Sequence, residues 1–397
     1  MNLTDRLGAL LDTPIRAVTD FGSSHAWTLH RATLADGRDI FVKAAAEPTS
    51  VFAAEAAGLR WLASLAGAGV DGGGSREWPG ETSDELGAAA AAVGDAAAGG
   101  ATATGAGGGA ATAAATGADA GAAGGGAPAG AAAGADGAGP AEFRPAADAA
   151  SIDRRPAGEP PSIPDVRQPS HDQIIREHHA DVPKLLPEVL AADDRMIVLP
   201  WLDDSGPSAT TADKFGRELA ALHTNSPGEF GAPWPGWIAD LPLDNTPSPG
   251  PWAQWYAERR LAPYLPDAAT HLGQDGIRLL EQVIDRIDTL AGPPEPPARI
   301  HGDLWSGNIV WTADRAMLID PSAHGGHRET DLALLALFGA PHLDRIRAAY
   351  HETHPLADGW RTRIPLHQLH HLLVHVILFG PSYRSQTLAA AKAALAG

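Results

Sequence analysis

The 397-residue sequence predicts an α+β protein of two lobes: a small antiparallel β-sheet lobe with one helix, then a larger, mainly α-helical lobe. Three observations carry this expectation. Short strand-like runs separated by small-residue turns fill the first 45 residues, and a single amphipathic run follows them. From about residue 201 onward, apolar residues recur mostly at helical spacing. Between these stretches the composition collapses to Ala and Gly, which separates a core-forming beginning from a core-forming remainder. The expected boundaries are 1–66 plus 180–200 for the first lobe, 67–179 for a low-complexity insert, and 201–397 for the second lobe.

Residues 15–19 alternate like a strand, 21–25 (Phe-Gly-Ser-Ser-His) read as a turn, and 26–34 resume extended structure. Ala35-Asp36-Gly37 is a hairpin turn leading into the strand 39–43, which ends on Lys43. A helix is expected over 49–65 with Thr49 or Ser50 as its cap. Phe52, Glu55, Leu59 and Leu62 recur three and four residues apart, so Glu55 lies on the apolar face. A carboxylate there is costly unless paired, and Lys43 is the natural partner.

Residues 88–140 contain only Ala, Gly, Thr, Val, Asp and Pro. Each interspersed glycine costs a helix about 1 kcal/mol, so the insert is expected to be disordered. Lengthening such a loop costs only about 0.6 kcal/mol per doubling, which the lobe can tolerate. Ile174-Ile175-Arg176-Glu177 reads as a short helix on re-entry, residues 195–199 as a strand, and Pro200-Trp201-Leu202 as the hinge between lobes. In the second lobe, helices are expected over 213–223, 252–265 and 276–290. The Trp- and Pro-rich segment 227–251 ends in Pro242-Leu243-Asp244-Asn245, and Pro293–Pro297 stiffens the approach to a further strand.

That strand opens onto His301-Gly302-Asp303-Leu304-Trp305-Ser306-Gly307-Asn308, with Leu318-Ile319-Asp320-Pro321 following. Strand, turn and strand over 309–311, 312–314 and 317–319 would fold Asp320 back beside Asn308. An Asp and an Asn five residues apart, with a second Asp returning to them, is the pattern of a phosphotransferase catalytic loop. Asp303 would accept or orient a substrate hydroxyl; Asn308 and Asp320 offer hard oxygen ligands that suit Mg2+. Lys43, paired with Glu55, would hold ATP phosphates, and the turn at Gly22, Ser23 and Ser24 could offer them backbone N–H groups. The 200–202 backbone would meet adenine.

The chain resembles the fructosamine kinase (ketosamine kinase) family, a branch of the kinase-like small-molecule phosphotransferases. HGDLWSGN (301–308), IDP (319–321), GHRETDLALLALFG (326–339), AYHETHPL (349–356) and LHQLHHLLVHVILFG (366–380) carry the likeness. Weaker similarity covers the rest of the chain apart from the insert. The resemblance implies a bilobal protein-kinase-like fold, ATP and Mg2+, and phosphorylation of a ketosamine or other glycated amine at the sugar's O3. A glycated protein is an open alternative acceptor. It implies that Asp331 braces the catalytic loop, although from the residues alone Asp331 could equally cap the helix it heads. His301, Trp305, Asp244, Asn245, His324, His371 and His375 take supporting or acceptor-side places. His367, His370, His371 and His375 stand at helical spacing, but no Cys or local carboxylate supplements them, so packing or pocket lining is expected rather than a zinc site. Two other readings stay open: a kinase of a different amino sugar or aminoglycoside-like acceptor, and a non-catalytic ATP-binding scaffold.

Composition narrows the rest. With 29 basic and 48 acidic residues the formal charge is −19, which argues against a nucleic-acid-binding surface. There is no cysteine, hence no disulfide, thiol chemistry or Cys-based zinc site. No basic-then-apolar leader opens the sequence and no run reaches membrane-spanning length, so a cytoplasmic monomer with no membrane partner is expected.

Overall fold

The computed structural model describes residues 2–24, 27–64 and 185–397, all within one compact unit. The expectations for the insert 67–179 and for the short helix at 174–177 lie outside the described residues.

The N-terminal lobe is a five-stranded antiparallel sheet with a helix on each face. α1 (Leu3–Leu11) begins at Asn2, whose side chain accepts the Asp5 N–H, and it buries Leu7 completely. It was not anticipated; Leu3, Leu7, Leu10 and Leu11 form a stripe too short to separate from a polar leader. β1 (Ile15–Ser24), β2 (Trp27–Leu34) and β3 (Asp39–Ala45) follow, then α2 (Val51–Ala63), β4 (Ala191–Ala192) and β5 (Met196–Pro200), in sheet order β1-β2-β3-β5-β4. The alternation within strands assigns the faces. Ile40, Val42, Met196 and Val198 pack toward α1, while Phe41, Ile197 and Leu199 pack toward α2 with Phe52, Ala56 and Leu59. Lys43 shares the parity of Phe41, which puts it on the α2 face.

The expected turn at 21–25 is corrected. β1 continues through Ser24, which pairs with Trp27, and the register shifts between Asp20 and Ser23. Gly22 at φ +97° takes up that irregularity, and its N–H is held by the Asp20 carboxylate at 2.7 Å. The part of that expectation at residue 25 lies outside the described residues.

The second lobe begins with α3 (Ala209–Thr224), whose N-terminus is closed by a reciprocal Ser208–Thr211 cap. A hairpin follows, β6 (Gly236–Ile238) and β7 (Leu241–Leu243). The helix expected over 252–265 is broken into α4 (Trp252–Tyr256), a π-turn (Ala257–Leu261) and a 3-10 turn (Ala262–Tyr264). Pro263 supplies no N–H to the preceding turn, so the backbone there widens and then tightens. α5 (Leu265–Asp285) starts earlier than expected, kinks at Gly273, and is followed by α6 (Ile287–Leu290).

Two small ribbons then carry the polar motif. β8 (Ala298–Ile300) pairs with β11 (His324–Gly326), and between them β9 (Ile309–Trp311) pairs with β10 (Ala316–Leu318). α7 (Glu329–Leu337), α8 (Leu343–Thr353), α9 (Trp360–Phe379) and α10 (Arg384–Ala396) complete the lobe. Its two apolar cores are centred on Leu261, Leu272, Leu369 and Leu373, and on Phe215, Leu219, Leu318 and Tyr350. Among the described residues no helix is long and apolar enough to cross a membrane.

Candidate active site

β8 ends at Ile300, and the next three residues make a tight loop with Gly302 at φ +80°. A side chain at 302 would be strained by that φ and would meet the Ser322 carbonyl oxygen at 2.3 Å, so glycine is required. Asp331, fully buried in the first turn of α7, fixes the loop. Its carboxylate accepts from His301 N (2.8 Å), Gly302 N (3.0 Å) and His223 Nε2 (3.1 Å). Burial alone would raise this acid, but His223, and with it His301, outweighs that burial and holds it below the usual carboxylate range.

His301 staples this loop to the next one. Its Nε2–H donates to Ile319 O at 2.9 Å and its Nδ1 accepts the Asp303 N–H at 3.3 Å. The β9–β10 hairpin folds Ile319 back so that its N–H reaches Asn308 O, at 3.1 Å. Asn308 Nδ2 donates to the Asp303 backbone oxygen (2.9 Å) and to its carboxylate (3.1 Å). Asp303 keeps a quarter of its side chain open, and His371 Nε2 lies 3.5 Å from its other oxygen. Burial, with the charge of Asp320 adding to it, pushes the Asp303 carboxyl up to about 7.

Across the cleft, Lys43 Nζ bridges Glu55 Oε2 (3.0 Å) and Asp320 Oδ1 (2.7 Å). Burial lowers the ammonium's pKa, and the charges of Asp320 and Glu55 more than reverse that, leaving it above the usual lysine value. Glu55 is pushed up by burial, while Asp320 is held down because Lys43 outweighs its burial. Asp320 sits at φ +54°, an unusual conformation for a side chain and one that tends to occur at functional loops.

The structure therefore joins Lys43, Glu55 and Asp320 in one hydrogen-bonded set, and His301, Asp303, Asn308, Asp331 and His371 in another. Trp305 lies beside them with its ring folded over Gly307 and edge-on to Phe338 at 5.8 Å. His375 continues that aromatic row, 5.1 Å from Phe338, and its Nδ1–H donates to His371 O. His371 Nε2–H donates to Gly302 O at 3.0 Å, so the histidine-rich helix backs the loop. His324 is buried against Ser322 O (2.8 Å) and Trp255.

Other expected residues are placed differently. Among the described residues no hydrogen bond or ion pair joins Asp244 or Asn245 to Asp303, Asn308 or Asp320. Asp244 holds Thr246 and Arg259, and Asn245 gives its amide oxygen to buried Arg260 at 2.6 Å. At the hinge, Trp201 N–H already donates to Asp39 O, and the indole stacks on Phe21 at 5.5 Å.

Sequence reasoning missed His223 and Tyr350, which meet at 2.9 Å behind Asp331. The signal for His223 was present: it continues the Phe215–Leu219–Leu222 stripe onto a buried face. A second buried group, His327, Glu329 and His367, has ligand-type atoms within 4.8 Å of one another. Most of its atoms are engaged within the protein, while His367 Nε2 is buried without a hydrogen-bond partner, 3.4 Å from Glu329. Arg363 grips both Glu329 oxygens (2.9 and 2.5 Å), His327 Nδ1 accepts the Glu329 N–H, and Thr330 meets His367 Nδ1.

A five-stranded lobe holding a lysine–glutamate pair, above a helical lobe presenting Asp303, Asn308 and Asp320, defines a kinase-like phosphotransferase. The sequence model of the fructosamine kinase family matches residues 170–396, more than half of the chain. The chain belongs to that family. It is 33% identical over 212 residues to a Synechocystis protein provisionally named a ketoamine kinase, covering 52% of this chain and 69% of the relative. The protein-ribulosamine 3-kinase of Arabidopsis thaliana is 32% identical over 203 residues, covering 48% of this chain and 59% of that protein. A solved structure from Thermobifida fusca, provisionally named a fructosamine-3-kinase, superposes with a TM-score of 0.68 at 36% identity, covering 100% of this chain and 99% of its own.

Proposed function

We propose that this chain is an ATP-dependent kinase that phosphorylates a ketosamine, a sugar joined through an amine, at the sugar's 3-hydroxyl. The observation that carries the reading is the contact between Lys43 and Asp320. It supports a phosphate-seeking cation working beside a metal-type carboxylate, and the Ile319 N–H bond to Asn308, whose amide reaches Asp303, supports Asp303 as the acceptor base. The acceptor class follows from membership of the family and from the names of the relatives. A protein-borne ketosamine is a further candidate acceptor, and the cytoplasm, where ATP is plentiful, is the proposed compartment.

The residues fit Mg2+. Asn308 spends its amide nitrogen on Asp303 and so keeps its oxygen, and the Asp320 carboxylate, which Lys43 and Glu55 both meet, supplies the second oxygen donor. An all-oxygen donor set suits this hard ion, which when bound neutralises charge on the β- and γ-phosphates. Lys43 would hold the phosphates, with Glu55 fixing its reach. Backbone groups at Ser23 and Ser24 would add donors, although the Gly22 N–H is already engaged by Asp20. Leu202 N–H and the carbonyls of Trp201 and Leu202 would meet adenine. Asp303 accepts the hydroxyl proton as the oxygen attacks the γ-phosphorus and ADP departs; a carboxyl near 7 is poised for that exchange at neutral pH. Asp331 positions Asp303 and touches no reacting atom.

The test is the position of the product phosphate. The full chain with Mg-ATP and ribulosyl- or fructosyl-Nα-acetyllysine should yield a sugar phosphate whose carbon–phosphorus couplings in NMR centre on C3. Phosphate on another carbon would refute the 3-position. ATP binding without turnover of either acceptor would refute the ketosamine assignment.

A further inference from the structure

We propose that Arg299 is a positioning residue for ATP: from the strand that leads into the catalytic loop, it caps the C-terminus of α2 and so fixes Glu55 and, through it, Lys43. This rests on the kinase reading above. The last turn of any helix leaves carbonyl oxygens without intrahelical partners, at the negative end of its dipole. In α2 they face Arg299. Its Nη1 donates to the carbonyls of Trp61 and Ser64 (2.6 Å for Ser64) and to Ser64 Oγ (2.8 Å). The guanidinium also lies over the Trp61 ring, 4.8 Å from its centre.

The other end of the clamp is rigid. Arg299 is 8% exposed; it pairs with Gly325 across β8–β11, and its backbone N–H donates to Asn225 O at the end of α3. Two residues later the same strand becomes His301-Gly302-Asp303. The lobe that carries Asp303 thus grips the helix that carries Glu55, without passing through Lys43.

A second contact acts in the same direction. A Cβ added at Gly58 would stand 3.0 Å from Ala323 Cβ and 3.7 Å from Pro321, so α2 is seated directly on the segment that follows Asp320. Glu55, Gly58 and Leu62 share one face of the helix, so any slide or roll that loosened the Arg299 cap would carry Glu55 with it. The grip falls on Ser64, the C-cap of α2. Among the described residues, all hydrogen-bond partners of the Arg299 side chain are neutral oxygens, and burial lowers its pKa. A buried cation without a carboxylate is a poor device for stability alone, since an apolar residue of similar volume avoids the desolvation cost. It is a good device for fixing the register of one element on another.

The experiment is direct titration of Mg-ATP, by calorimetry or with a fluorescent ATP analogue, into the full-length protein and its variants. Arg299→Met keeps the aliphatic stem on Trp61 and removes the donors; ATP affinity should fall about tenfold. Arg299→Lys, which can still donate to the same oxygens, should return to within about threefold of the unaltered protein. In the Glu55→Gln background, Arg299→Met should weaken ATP by less than twofold further, because both changes act through Lys43. If Arg299→Met fails to fold, Gly58→Ala takes its place, with the same loss and the same suppression by Glu55→Gln. Affinity within twofold of the unaltered protein, or losses that multiply in the double variant, would overturn the proposal. Failure of the unaltered protein to bind Mg-ATP would instead refute the kinase reading, so the two failures are separable.

Discussion

Replacing Asp331 by Asn distinguishes bracing of the catalytic loop from participation in its chemistry. The carboxylate accepts three hydrogen bonds, two from consecutive backbone N–H groups and one from His223. An amide has one acceptor oxygen. If that oxygen serves His301 N and His223, the amide NH2 faces the Gly302 N–H, and a buried donor loses its partner at a cost of about 1–3 kcal/mol. The two retained bonds lose their charge assistance, about 1 kcal/mol each. The expected loss is therefore about 3–5 kcal/mol, a large part of the 5–15 kcal/mol typical of a folded protein. Urea unfolding followed by tryptophan fluorescence should show a lower midpoint with an unchanged slope. Turnover should fall because Asp303 is misplaced, while Mg-ATP binding stays within about threefold. A stability loss under 1 kcal/mol, combined with a turnover loss as deep as that of Asp303→Asn, would refute the reasoning and move Asp331 into the chemistry.

Three further outcomes are expected. Burial pushes His324 and His371 down to about 3, so the unfolded chain binds more protons than the folded one between about pH 3 and 6.5. The contribution of these two rings should be full above 6.5 and decline below it, by about 1.4 kcal/mol per ring at pH 5.5, while the raised Asp303 and Glu55 carboxyls act in the opposite direction; a His324→Phe variant whose urea midpoint shifts between pH 7 and 5.5 as much as that of the unaltered protein would contradict this. Gly302→Ala must place a Cβ 2.3 Å from Ser322 O at a φ of +80°, and should lower kcat at least a hundredfold; near-normal turnover would show that the loop can relax. Arg363→Met leaves Glu329 buried without its partner and should cost about 3–5 kcal/mol, most of it recovered when Glu329→Leu is added. A double variant no more stable than the single would locate the loss elsewhere.

The candidate-site residues were legible because they are bound to one another by short spacing or by parity. Asp303 and Asn308 sit in one loop, a single hairpin returns Asp320, and strand parity turns Lys43 toward the helix face of Glu55. The residues that hold this set in place were harder to see. His223, Tyr350 and Arg299 act across more than 70 residues of chain each, and no local pattern reports such contacts. Proline 263 shows the opposite limit: its local consequence, a π-turn in place of a continuous helix, was readable in principle but was hidden by strong apolar periodicity. Asn245, given an acceptor-side place by the family resemblance, has its amide oxygen held by buried Arg260, a contact that no local pattern reports.

The most direct test of the account is ADP release from Mg-ATP with fructosyl- and ribulosyl-lysine, comparing the unaltered protein with Asp303→Asn. The account predicts acceptor-dependent turnover that falls at least a hundredfold in the variant, the lower range for loss of a general base, with ATP affinity within about threefold. Equal turnover in both proteins would contradict the central role given to Asp303.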